Sequence, residues 1–226
     1  ILEAQTRRLL EKGSVKNFLT AFTGQWLDLR KLPNIMPDTR LLKWIEKDLT
    51  AITAETELFV AEILRENHSI ETFIDSDFTY LNRRNAALYK IDFPKTETMT
   101  RVALEPGGIR GGIITQASVL MATANGVDTQ PVLRGAWMLE NIFGTPTPEP
   151  PADVPAIEPD TSGAKSIREL LDRHKADASC ASCHKKIDPP GFVLENFDPV
   201  GRWRDTYPLY EKSGNKVITR PGLPVD

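Results

Sequence analysis

The sequence predicts a mainly α-helical fold. Apolar residues recur at steps of three and four through the front two-thirds of the chain, and a proline-dense stretch then separates that region from a short segment carrying both cysteines. Three parts follow: a helical platform over 1–143, a proline-rich linker or strap over 144–163, and a helical, cysteine-bearing segment over 164–226 that reads as truncated at its carboxyl end. Little regular sheet is expected.

"ILEAQTRRLLEKG" reads as helix from the first residue, so the chain reads as a piece of something longer and says nothing about a signal peptide. "SVKNFLTAFTGQWLDL" spaces Val15, Phe18, Phe22, Trp26 and Leu29 as one helical stripe. "PNIMPDT" is a proline-bounded turn, with Asp38 or Thr39 placed to cap a helix running from Arg40 to about Arg65. Leu41, Ile45, Leu49, Ile52, Phe59 and Ile63 form its stripe, interrupted around Glu55. Ser69 caps a short helix with Ile70, Phe73 and Ile74, and "TYLNRRNAALYKI" reads as a helix beginning near Thr79. "EPGGIRGGI" (105–113) is a turn and close-approach segment with four glycines. "QASVLMATA" and "PVLRGAWMLENIF" are two more helices. The stretch 144–159 has six prolines in sixteen residues and should run extended.

At 226 residues the chain can bury a sizeable core, as one large domain or two modest ones. With 28 Lys and Arg against 31 Asp and Glu the net charge is −3, and no basic patch is visible, which argues against a nucleic-acid partner. No apolar run approaches the roughly 18 residues that a membrane span needs.

"CASCHKKIDP" (180–189) holds the two cysteines three apart, with a histidine directly after the second. On a helix, Cys180, Cys183 and His184 share one face, so two thiols can take up the vinyl groups of one haem while His184 Nε2 reaches the iron as proximal ligand. A structural zinc site wants four Cys or His ligands, and only His68 and His174 remain. A thioredoxin-like pair wants a strand before the motif, where a helix is expected. The string therefore implies one covalent haem c.

In "SIRELLDRHKADASC", His174 closes the stripe Ile167, Leu170, Leu171. It is either a half-buried histidine at a helix end or a distal or second-shell haem group. Met121 is a thioether alternative for the distal position, as is Met138, although methionines in apolar helices are commonly core. His68 reads as solvent-facing. Pro189, Pro190 and Gly191 should end the motif helix, after which Phe192, Leu194, Phe197 and Trp203 can cover a porphyrin with apolar surface and raise its potential. Arg202 or Arg204, and also Arg110 or Arg134, could pair with haem propionates; each could equally be an ordinary ion pair. Lys185 and Lys186 beside the ligand could dock an acidic redox partner or be solvated helix-end charges.

These residues carry a family likeness. From about Phe18 to Tyr207 the chain resembles the planctomycete-type cytochrome c proteins, large secreted chains assembled from domains of unknown function. Its landmarks are "QWLDL" (25–29), "FTYLNRRNAALYKI" (78–91), "RGGIITQASVL" (110–120), "PVLRGAWMLENIFGTPTPEPP" (131–151) and "RHKADASCASCHKKIDPPGFVLENFDPVGRWR" (173–204). The resemblance implies haem attachment at Cys180 and Cys183, proximal ligation by His184, a family histidine at His174, and a further domain beyond Asp226. The chain departs from the pattern at "TQPV" (129–132), where the family has Thr-Ser-Pro-Val.

Two function classes remain, with a third, weaker reading beside them. Electron transfer in the periplasm, with redox partner proteins and a six-coordinate haem c, is the preferred one. A haem enzyme of peroxidase or oxygenase type with an open distal site is the alternative. A structural or assembly module of a larger secreted redox protein is the third. Either of the first two requires export, because thioether attachment is made outside the bacterial cytoplasm. The sequence leaves the oligomeric state open.

Overall fold

The computed structural model describes residues 1–11, 14–40, 42–148, 168–169, 178–213 and 216–225. They are mainly α-helical, with two short antiparallel ribbons. The chain forms two compact units, one of residues 1–127 and 199–202, the other of 128–198 and 203–226. Most of the expected strap, and His174 with the stripe before it, lie outside the described residues.

In the first unit α1 (Leu2–Glu11) and α2 (Ser14–Trp26) precede a 3-10 turn, Leu29–Asn34. Leu19 and Thr23 on α2, and Leu27 just after it, are buried. The aromatic stripe falls beside them: Phe18 and Phe22 stack on each other at 5.6 Å and stay partly exposed, and Trp26 meets Phe73 edge-on at 5.2 Å. Stacking thus accounts for a helical spacing that core burial does not.

α3 (Glu46–Glu66) begins later than the expected Arg40. Asp38 spends its carboxylate on the Arg40 N–H and guanidinium, which closes a turn. Asp48 accepts the Ile45 N–H at 2.9 Å and so fixes the helix start there. α3 then runs unbroken, with Ile52, Phe59, Val60 and Ile63 in the core. Glu55 lies inside that stripe and is 1% exposed.

The expected helix from Thr79 is instead β1 (Phe78–Leu81) followed by α4 (Arg83–Tyr89), and β1 pairs antiparallel with β2 (Thr100–Ala103). Asn82 makes the break: its side chain accepts the Arg84 N–H at 2.8 Å, while Asn85 accepts the Asn82 N–H at 2.7 Å. The glycine-rich segment is a close approach, as its composition suggests. Gly112 has φ 66°, and a Cβ there would strike the Phe73 and Ile74 carbonyls.

Glu55 gathers these elements. It accepts from Thr79 Oγ1 at 2.7 Å, Tyr89 Oη at 2.6 Å and Asn85 Nδ2 at 3.2 Å. Tyr89 Oη in turn accepts the Ala117 N–H at the start of α5 (Ala117–Ala122). Arg110 stacks on the Tyr89 ring at 3.6 Å and donates to the carbonyls of Thr115 and Gly201.

In the second unit α6 (Pro131–Asn141), opened by Pro131 in the first turn, crosses α7 (Ala178–Phe192) at backbone contact. A Cβ on Gly135 would collide with the Ile187 carbonyl oxygen, and one on Gly191 with the Pro131 carbonyl. The contacts sit one turn apart on each helix, 131 and 135 against 191 and 187, so the helices run antiparallel where they touch. α7 passes through Pro189 and Pro190 to Phe192, where the prolines were expected to end it. The two carbonyls that lose their donors belong to Lys185 and Lys186, both exposed residues. An unforeseen hairpin follows: β3 (Thr206–Ser213) pairs with β4 (Lys216–Pro224).

Burial raises the Glu55 pKa from 4.5 to about 7, against the lowering effects of its donors and Arg110. A raised folded-state value means the folded chain holds a proton that the unfolded chain releases. Its stabilising effect is complete below pH 4.5 and is lost as pH rises through 7, by roughly 3 kcal/mol in all. Denaturant unfolding should show stability falling across this window, with Glu55→Gln flattening the slope; equal slopes in both chains would exclude Glu55 as its source. At the helix crossing, Gly135→Ala should cost about 3 kcal/mol, because the added carbon meets rigid backbone. A change below ~0.5 kcal/mol in the same measurement would show that the helices part freely.

Candidate functional site

α7 carries Cys180, Cys183 and His184 at helical positions i, i+3 and i+4. Their backbones therefore lie on one side of the helix, as the spacing requires. Cys183 is a free, half-buried thiol, and the side chain of Cys180 lies outside the described residues. The His184 side chain is 13% exposed, and its Nδ1 lies 2.9 Å from Asp188 Oδ1 one turn on, the carboxylate itself being 7% exposed. With Nδ1 as donor to Asp188, Nε2 is the nitrogen that can bind a metal. The α6 crossing pins this turn, since Ile187, whose carbonyl rests on Gly135, is Asp188's neighbour. Lys185 and Lys186 are exposed. Asp188 is a partner that the sequence reading missed; its i+4 spacing from His184 was the available signal.

Directly after α7 comes a buried charge cluster centred on Glu195, which is 0% exposed. Arg134 Nη1 on α6 donates to its carboxylate at 3.2 Å and to the Leu194 carbonyl at 3.1 Å. Thr129 Oγ1 donates at 2.7 Å, Tyr207 Oη at 3.0 Å and Arg204 Nη2 at 3.3 Å. Arg204 also reaches the Glu195 carbonyl and stacks on Tyr207 at 4.5 Å. Burial pulls the Arg134 pKa down, partly offset by Glu195.

The arginines considered as propionate partners thus have protein partners: Arg134 and Arg204 on Glu195, and Arg110 in the first unit. Arg202 is half-buried, in the segment that belongs to the first unit. Phe192 and Phe197 are buried, and Phe197 packs edge-on against Trp203 at 5.3 Å. Met121 is wholly buried in the first unit and Met138 is buried on α6 of the second. His68 lies beside the Phe78 ring and 3.6 Å from Glu62 in the first unit.

The donor set fits a covalently held haem. It offers a partly accessible thiol at Cys183, helical spacing to Cys180, and a histidine whose ring a carboxylate orients. Trp137 Nε1 on α6 is a buried donor with no acceptor among the described residues. Among the described residues, no three His, Cys, Asp or Glu side chains gather as a bare metal ion would need. Glu195→Gln should leave Arg134 buried beside a neutral amide and cost about 3 kcal/mol or more. Unfolding of the full chain measures it, and a loss under ~1 kcal/mol would mean that the charges are not coupled.

No curated protein and no solved structure matches the chain. Residues 1–91 match the family model PSD4, described as a protein of unknown function (DUF1592), and residues 110–207 match PSCyt3, described as a protein of unknown function (DUF1588). Both are planctomycete-type cytochrome c domains of unknown function, so the chain is similar to that family over most of its length.

Proposed function

We propose that this chain is the cytochrome part of an exported redox protein, with one haem bound covalently through Cys180 and Cys183 and held by His184 as proximal ligand. The observation that carries the reading is the Cys-x-x-Cys-His string on one turn of α7, with His184 Nδ1 tied to Asp188. Haem c, when bound, supplies a one-electron iron couple. The chain's residues would hold and shield it. Asp188 orients the imidazole, and Phe192, Phe197 and Trp203 contribute apolar surface that excludes water. Lys185 and Lys186, exposed beside the ligand, suit an acidic redox partner.

Electron transfer between proteins is the preferred activity, with His174 as the first candidate for the distal position. Acid organic extraction should leave the haem on the polypeptide, whose intact mass should exceed that of the sequence by one haem. Two free thiols or bound zinc would sink the proposal. The ferric protein should be low-spin, and His174→Ala should turn it high-spin. A wild-type spectrum that is high-spin from the start would instead favour peroxide or oxygen chemistry at an open site.

A further inference from the structure

An aspartate buried one turn after the motif histidine has a cost. Asp188 is 5% exposed on a helix face that packs closely against α6, where an apolar residue would fill the same space without losing hydration. Its Oδ1 lies 2.9 Å from His184 Nδ1, and the two side chains share the i, i+4 relation on a helix whose backbone is fixed at Ile187 and Gly191. The contact is therefore held by rigid backbone, with little left to side-chain chance.

We propose that Asp188 is a positioning residue for the haem iron. It fixes the His184 ring and tautomer and makes the proximal ligand electron-rich, so that the oxidised iron is favoured. The inference rests on the haem reading above. A carboxylate that accepts the Nδ1–H strengthens the basicity of the other ring nitrogen, and its negative charge stabilises the more positive oxidation state. A backbone carbonyl in the same place would orient the ring without supplying that charge. The effect opposes the apolar cover of Phe192, Phe197 and Trp203, which favours the reduced state. The midpoint potential is thus set by two devices of opposite sign, both on the segment 184–203.

The test is an equilibrium redox titration of full-chain holo-protein, wild type against Asp188→Asn. Asparagine keeps the size and an acceptor oxygen but removes the charge. At a fixed applied potential, the oxidised-to-reduced ratio should fall at least tenfold in the variant, an upward shift of ~59 mV for a one-electron couple. A purely structural role would alter unfolding and leave the potential in place. Unchanged potentials in two fully haem-loaded proteins would overturn the inference while leaving the haem reading intact. A wild-type chain that carries no haem mass would overturn both. Should the variant not accumulate with haem, proton NMR of the ferrous wild type reads the same contact. A His184 Nδ1–H resonance protected from solvent exchange supports it, and a rapidly exchanging one overturns it.

Discussion

In the second unit two helices touch through glycines, Gly135 on α6 and Gly191 on α7, each lying against a backbone carbonyl of the other helix. Gly135 admits the Ile187 carbonyl and Gly191 admits that of Pro131, a close approach of α6 and α7 that a larger side chain at either glycine would prevent. Everything chemical in the unit is referred to this crossing. His184 and Asp188 flank Ile187. Arg134, beside Gly135 on α6, reaches the carboxylate of Glu195, in the first turn after α7. One short stretch of α6 therefore grips α7 through backbone contact and the following turn through charge.

The two most buried carboxylates among the described residues solve the same problem in opposite ways. Glu55 is met by neutral donors, from Thr79, Tyr89 and Asn85, with the Arg110 charge acting on it at a distance. Burial wins there and holds the proton on. Glu195 receives two guanidinium groups together with two hydroxyls, so its lone pairs face cationic and neutral donors alike. One cluster joins α3, β1 and α4; the other joins α6, the turn after α7 and β3. In both, a buried carboxyl group with several partners fastens elements that apolar packing alone would bring together loosely.

Much of this was legible in residue order. The helices around Val119 and Trp137, the close approach of the glycine-rich segment and the Cys-x-x-Cys-His turn follow from local patterns that act over a few residues. The misreadings share a cause, which is that a partner distant in sequence decides. "FTYL" has apolar positions compatible with helix, but Thr100–Ala103 and Glu55 draw it into a strand. Glu55 looks like a break in a stripe until Tyr89 and Thr79 are brought to it. Pro189 and Pro190 should stop a helix, yet they lie in the last turn, and the carbonyls they orphan fall at exposed lysines. The hairpin did leave a local trace, the Gly214-Asn215 pair between "TYPLYEKS" and "KVIT", which a search for helical spacing passes over. The role of Asp188 was equally local, one helical turn from His184. It went unread because the aspartate sits in an Asp-Pro pair that suggests a turn.

The first unit includes four residues from far down the chain, 199–202. Gly201, at φ 84°, lies so close to Ala117 that a Cβ would come within 2.8 Å of its Cα, and its carbonyl accepts from Arg110 Nη2 at 2.6 Å. Arg110 is the same side chain that lies over Tyr89. Order of synthesis then acquires a structural meaning. A ribosome delivers residues 180–184 before residue 201, so both cysteines emerge while the amino-terminal unit still lacks a piece of its own interior. Folding of that unit is completed only by a segment that trails the motif along the chain.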